Sequence, residues 1–271
     1  MRRVVRALLI TGLALIAGVL AMPAAAQAAI VDGGYDVSYP QCGTTLPGGQ
    51  AFGVVGINGG LATTANECLS TQLTWAWQSS GAVAGQPTAQ VYLNTANPGE
   101  IRNQVSTWPH AGNTPYGVCT GGNTNACSWQ YGWERAQNSV TNIFTPAATS
   151  AAVPATPSSY TWWLDVETTN TWQSGSSQAV GRNKATLEGM TAYVTLHGGE
   201  VGIYSTSYQF HQIAGYPGSG STLYHVDSWL AGASSVSGAA SDCTKPPLLS
   251  GGHVLLAQYV VGDLDHDLSC R

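Results

Sequence analysis

Short strand-like runs alternate with helical stripes along most of this chain, and that alternation limits its possible folds more than any other feature. Gly34–Ser38 (GYDVS), Phe52–Ile57 (FGVVGI), Gln90–Leu93 (QVYL), Tyr160–Glu167, Val201–Tyr204, Leu223–Val226 and Val254–Tyr259 read as strands. Leu69, Leu73 and Trp77 mark a helix face between Asn66 as cap and Gly81 as stop. Trp133, Ala136, Val140 and Ile143 mark a second face, and Leu187, Met190 and Val194 a third, closed by Gly198 and Gly199. Strands joined through helices pair in parallel by right-handed crossovers. Seven or eight of them close most economically into a single α/β cylinder, a modified (β/α)8 barrel of the TIM type. A doubly wound open sheet is the rival, but no G-x-G-x-x-G follows the first strand and no lysine follows a glycine as a P-loop requires. Pro146–Ser159, rich in Ala, Pro and Ser, reads as a surface loop. No repeat or linker divides residues 29–271, which are expected to form one domain.

The start of the chain is of a different kind. Arg2, Arg3 and Arg6 precede an apolar run from Ala7 to Leu20, and Ala26-Gln27-Ala28 fits the small-residue cleavage rule. Residues 1–28 therefore read as a signal peptide, too short in its apolar part for a stable membrane anchor, and the product is expected outside the cell. Nine basic residues face fourteen acidic ones, and three of the nine lie in that leader. An acidic mature chain without a basic patch is a poor partner for nucleic acid. Six cysteines, Cys42, Cys68, Cys119, Cys127, Cys243 and Cys270, suit three disulfides in an exported protein. Sequence proximity favours Cys119 with Cys127, and position suggests Cys42 with Cys68 and Cys243 with Cys270. With no close C-x-x-C pair and no H-E-x-x-H, neither a metal nor another cofactor is expected.

Within so sparsely charged a chain, WWLDVETTN at 162–170 puts Asp165 and Glu167 at the end of an apolar run. Strand side chains alternate, so Trp163, Asp165 and Glu167 face the barrel axis while Trp162, Leu164 and Val166 face the helices. The polar residues that follow place the acids at the C-terminal mouth, where barrel enzymes keep their chemistry. Burial and mutual repulsion raise at least one carboxyl pKa, and a protonated acid beside an ionised one is what glycosidic cleavage needs. The structural alternative makes both acids surface groups or partners of Arg182 or Lys184. Asp36 ends the first strand, and Asp263, Asp265 and Asp267 alternate in GDLDHDL after the last, so these acids can converge on the same mouth. A calcium loop is a poorer reading of D-x-D-x-D, because the EF-hand glycine and glutamate are missing.

GGYDVSYPQ, WWLDVETTN, EVGIYSTSYQF, LLAQY and DHDL, in that order, resemble the secreted lysozymes of glycoside hydrolase family 25, and YGWERAQNS and VYLNTANP resemble a cysteine-containing, actinobacterial-looking branch. The resemblance implies a modified β/α barrel that cuts between N-acetylmuramic acid and N-acetylglucosamine in peptidoglycan. It implies Glu167 as general acid and Asp165 as the carboxylate that orients or polarises the substrate's N-acetyl group, a substrate-assisted route. Asp36 and Asp267 would shape the sugar site, with Asp265 beside them on the terminal D-x-D. The chain departs from the family at INGG (57–60) and VYLNTAN (91–97), both expected on the cleft floor. That departure motivates a second reading, a catalytically silent or altered barrel that binds glycan at the cell surface.

Sugars stack their apolar faces on aromatic rings. Tyr39, Trp172, Trp229 and Tyr259 follow expected strands and are candidates for this role, with Asp227 beside Trp229 open between cleft and capping. Trp75, Trp77, Trp129 and Trp133 read as core, and His266 should point away from its aspartate neighbours. No G-x-S-x-G elbow occurs. The expected partner is peptidoglycan or a related N-acetylated glycan, met by a monomer.

Overall fold

The first strand, β1 (Gly33–Val37), is flanked in space by two strands from opposite ends of the sequence. A computed structural model describes residues 33–271, so the expected signal peptide lies outside the described residues. After β1 come β2 (Phe52–Gly56), α1 (Leu69–Trp77) and β3 (Ala89–Asn94), then a small hairpin of β4 (Gly112–Thr114) and β5 (Gly117–Cys119). Next are α2 (Asn125–Asn138), α3 (Thr145–Ser150), β6 (Thr161–Asp165), α4 (Ser177–Leu196), β7 (Glu200–Ser205) and α5 (Ser207–Ala214). The chain continues through β8 (Asp227–Ala233), α6 (Val236–Asp242), β9 (Val254–Val261) and β10 (Leu264–Ser269). Eight strands close a barrel in the order β1-β10-β9-β8-β7-β6-β3-β2. Every pairing from β1 through β2, β3, β6, β7 and β8 to β9 is parallel, while β10 is antiparallel to both neighbours. This is the expected modified α/β barrel.

Side-chain polarity starts the helices where the strands end. Thr124, Ser176, Thr206 and Ser235 each accept a backbone N–H three residues on, which caps α2, α4, α5 and α6. Outward-facing Val91, Trp162, Leu164 and Ile203 pack beneath Leu73, Val140, Leu187 and Phe210 of the helical layer. Phe52, Val54, Trp163, Trp229 and Leu256 fill the lower barrel interior. Its width is set partly by glycine: a Cβ on Gly202 would lie 2.1 Å from the Trp163 ring. Only a bare Cα on β7 lets that indole lie across the axis.

Three segments differ from expectation. Leu223–Val226 is a turn, because His225 takes a φ of 70° and the strand begins only at Asp227. Pro146–Ser159 is not wholly loop: α3 opens it, with Pro146 in the first turn, where no N–H is needed, and Ala148 fully buried. GDLDHDL does not trail after the last strand. Gly262, at φ 65°, turns the chain back, and the period-two run becomes β10, the strand that closes the barrel.

The disulfides are Cys42–Cys68, Cys119–Cys127 and Cys243–Cys270. The first ties the loop after β1 to the start of α1, the second joins β5 to α2, and the third fastens the end of α6 to the residue after β10.

The helices α2 and α4 touch through glycines. A Cβ on Gly132 would fall 1.9 Å from the Thr186 carbonyl oxygen, and one on Gly189 2.0 Å from that of Trp129. Trp129 and Trp133 stack at 5.3 Å beside this crossing, and Trp133 meets Tyr193 edge-on at 5.1 Å. Gly132→Ala must push the helices apart and is expected to cost about 1–3 kcal/mol. For a chain of this size each kcal/mol lowers Tm by about 2–4 °C. Thermal unfolding followed by circular dichroism reads this directly, and an unchanged Tm would contradict so tight a crossing.

Candidate active site

The C-terminal ends of the parallel strands surround a pocket of about 150 Å³, lined by Asp36, Asp165, Glu167 and Asp265 together with Tyr92, Tyr204, Trp229 and Gln258. The register explains the convergence. Asn94, Asp165, Tyr204 and Trp229 are successive partners across β3, β6, β7 and β8, so their side chains all enter the barrel. On the other side, Asp36 pairs with Asp265, and Gly34 with Asp267 one layer deeper.

Asp165 is 5 % exposed, and its Oδ2 accepts the Asn94 side-chain N–H at 2.7 Å. Its backbone carbonyl accepts the Thr95 hydroxyl and, at 3.2 Å, the Asn170 amide. Asn94 is itself placed by Asn58, whose Oδ1 accepts the Asn94 backbone N–H at 3.0 Å. The other carboxylate oxygen, Oδ1, is buried with no hydrogen-bond partner. Burial, then the charge of Glu167, pushes the Asp165 pKa up to about 8.

Glu167 stands just beyond β6, only partly buried. Its carbonyl accepts the Trp172 indole N–H at 3.0 Å and the Asn170 backbone N–H at 3.1 Å. Gln209 accepts the backbone N–H of the next residue, Thr168, at 2.6 Å. These bonds fix the turn that presents the side chain. Burial, then the charge of Asp265, raises its pKa.

Across the pocket, the Tyr204 hydroxyl donates to Gln258 Oε1 at 2.7 Å, and Gln258 Nε2 donates to Asp36 Oδ2 at 2.9 Å. Burial, then the charge of Asp265, holds the Asp36 carboxyl well above the ordinary range. Asp267 is fully buried beneath it. Burial, then the charge of Asp36, raises its pKa well above the ordinary range, and neither of its oxygens has a partner of good hydrogen-bond geometry. Burial also raises Asp265.

Among the described residues no cation forms an ion pair with these acids. The ion pairs formed among the described residues are Lys184–Glu188, Lys245–Asp242 and His253–Asp227, all elsewhere. Arg182 instead donates to Gln173. Asp165 and Glu167 are therefore neither surface groups nor partners of Arg182 or Lys184. Among the described residues no group of three or more His, Cys, Asp or Glu is arranged to hold a metal ion.

The aromatic candidates separate. Trp229, 1 % exposed, forms the pocket floor and packs against Trp163 and Tyr204 at 5.8 and 4.4 Å. Tyr39 is exposed, its ring against Gly60, and does not line the pocket. Trp172 stays outside the pocket and braces the Glu167 turn. Tyr259 faces the other side of β9, packed on Ala239 and stacked on His266, because its neighbour Gln258 takes the inward position. His266 thus points away from the acids, between Tyr35 and Tyr259. Asp227 opens β8 at the far end from the mouth and accepts the His253 backbone N–H at 2.8 Å, so it braces a turn.

Sequence reading passed over Tyr92, Tyr204, Asn94 and Asn58. Strand alternation was the available signal for the first three, since Tyr92 and Asn94 share a face of β3 and Tyr204 ends the inward face of β7.

No family model matches the chain, and no curated protein matches it. Two solved structures are similar over most of its length. A muramidase from Trichobolus zukalii is 17 % identical with a TM-score of 0.44, covering 88 % of this chain and 92 % of its own. A bacterial lysozyme from Streptomyces coelicolor is 16 % identical with a TM-score of 0.43, covering 88 % of this chain and 91 % of its own.

Proposed function

We propose that this chain is an exported, lysozyme-like glycoside hydrolase that cleaves peptidoglycan between N-acetylmuramic acid and N-acetylglucosamine. The observation that carries the reading is the Asp165–Glu167 pair. One carboxyl is deeply buried with an unfilled acceptor, and the other stands at the pocket lip with a raised pKa. Glu167 donates its proton to the glycosidic oxygen as the bond to the anomeric carbon breaks. The acetamido carbonyl oxygen of the same sugar forms a new bond to that carbon, while its N–H donates to Asp165 Oδ1. This hydrogen bond favours the ionised form of Asp165 and offsets the burial that otherwise keeps it protonated. Water then opens the cyclic intermediate, giving its proton to Glu167. Asp36, Asp265 and Asp267 line or underlie the sugar site, and Trp229 supplies its apolar floor.

The segments that depart from the resembled family, INGG and VYLNTAN, supply Asn58 and Asn94, which hold Asp165 in place. Their amides suit a working carboxylate rather than a decayed one. Three disulfides suit an oxidising extracellular compartment. Among the described residues no helix is long and apolar enough to cross a membrane. Incubating the purified protein with bacterial wall and following new reducing ends tests the proposal. Wall binding without any product would favour the silent, glycan-holding alternative.

A further inference from the structure

Outside the acidic pocket, the two most exposed large apolar side chains among the described residues sit at the two ends of α5. Tyr208 is 78 % exposed and Tyr216 83 %. Tyr208 and His211 are three residues apart on α5, so they share one face of it, while Phe210, Ile213 and Ala214 are buried. Gly215, at φ 68°, ends the helix and turns the chain so that the Tyr216 ring stacks on His211 at 4.0 Å, with 20° between the planes. Pro217 then confines the Tyr216 backbone to extended geometry. The Ser207 hydroxyl meets His211 Nδ1 at 3.4 Å, and the buried Phe210 ring meets His211 edge-on at 5.8 Å. His211 and Tyr216 are therefore held in place although Tyr216 stands in water. At the upper end of this strip, Gln209, next to Tyr208, accepts the Thr168 N–H beside Glu167. At the lower end a pocket of about 560 Å³ takes in His211, Tyr216 and Pro217 with Pro246, Pro247 and Leu248 from the stretch before β9. Residues 201–226 contain no Asp, Glu, Lys or Arg, and none lines that pocket.

We infer that Tyr208, His211 and Tyr216 form a second carbohydrate-binding surface, on the flank of the barrel, which holds the sugar backbone of an N-acetylated wall glycan outside the catalytic pocket. The choice of glycan rests on the hydrolase reading, but the surface uses none of the residues of that site. A sugar ring offers an apolar face to a flat aromatic ring and hydroxyls to polar neighbours. Here the rings stand among Ser207, Gln209 and Gln212 rather than in a continuous aliphatic patch, which suits a sugar better than the packed core of a protein interface. A run without ions spares a neutral sugar backbone the cost of stripping water from charges. Rings already fixed by stacking and by Pro217 lose little freedom on binding. The helix that carries them is about 12 Å long, so the surface suits a chain rather than one sugar. Because it adjoins the turn that presents Glu167, a bound strand keeps the mouth close to the insoluble wall, raising the local concentration of cleavable bonds.

The test is co-sedimentation of Glu167→Gln protein with insoluble bacterial wall, so that wall is bound and not consumed. Adding Tyr208→Ala and Tyr216→Ala together should weaken binding by about tenfold, and each alone by about threefold. Both tyrosines stand in solvent, so the packed layers stay intact. Tyr208→Trp with Tyr216→Trp, which keeps flat faces, should hold wall as the parent does. Wall freed of its stem peptides by an amidase should show the same loss with the alanine pair, because the strip reads sugar. Unchanged sedimentation of the alanine pair would overturn the inference. So would a loss confined to peptide-bearing wall, which would mark a peptide site, or a dimer that the alanine pair dissolves, which would mark a contact between copies. Reducing-end release by protein with Glu167 intact separates the two readings. Strip-dependent sedimentation without release would sink the hydrolase and keep the surface. Release by a protein whose alanine pair sediments unchanged would do the reverse.

Discussion

Glu167→Gln is expected to lower the rate of reducing-end release from bacterial wall by about 10²- to 10⁴-fold, the usual worth of a positioned general acid. The substitution keeps the shape of the side chain and removes only its transferable proton. Glu167 lies at the lip of the pocket rather than in the packed interior, and its carbonyl bonds with Trp172 and Asn170 come from the backbone. Thermal unfolding should therefore stay within about 2 °C of the parent, since a change away from packed or buried networks costs about 0.5 kcal/mol or less. A variant as active as the parent would remove Glu167 from the chemistry. A variant that is inactive and also unfolds early would show damage to the fold instead.

The second large effect is on stability against pH. Asp36, Asp165, Glu167, Asp265 and Asp267 all have pKa values raised by burial. Between the ordinary carboxylate range and about 8, the value reached by Asp165, the folded protein holds more protons than the unfolded chain. Stability therefore falls as pH rises through that window. Each tenfold gain in a carboxylate's proton affinity that survives structural relaxation contributes about 1.4 kcal/mol. The melting temperature is expected to be clearly higher at about pH 5 than at about pH 8, opposite to a protein held by ionised carboxylates. Asp267→Asn replaces the deepest acid with a neutral group of the same shape. It should raise Tm at the alkaline end and flatten the dependence. A Tm that climbs between those pH values, in parallel for parent and variant, would contradict the raised acids.

The parts of this architecture legible in the sequence were those written in local periodicity. Six of the seven expected strands overlie observed ones, the stripes at Leu69 and Leu187 lie on α1 and α4, and the one that starts at Trp133 runs from α2 into the π-helical turn Ser139–Phe144. The inward face of WWLDVE was readable because strand alternation is strict. What escaped was decided by distant partners. Residues 223–226 look like a strand, yet His225 turns there, and the less apolar DSWLAGA is recruited between β7 and β9. Similarly, LDHDLS carries too little apolar surface to announce a strand, and its place depends on the open flanks of β1 and β9. The acids of the site were visible by residue type, since few reasons exist to bury a carboxylate. Asn58 and Asn94 were not, because an amide on a strand end gains meaning only from the acid it faces.

Because β10 bridges β1 and β9, Gly33 and Leu268 are partners although nearly the whole sequence separates them. Without β10 the flank of β1 that carries Asp36 would have no neighbour on that side and would be open to water. Only the docking of β10 dries the pit and sets the protonation pattern on which hydrolysis would depend. The hydrolysis proposed for this chain would then require the closed cylinder, because an unclosed one lacks the dry pocket.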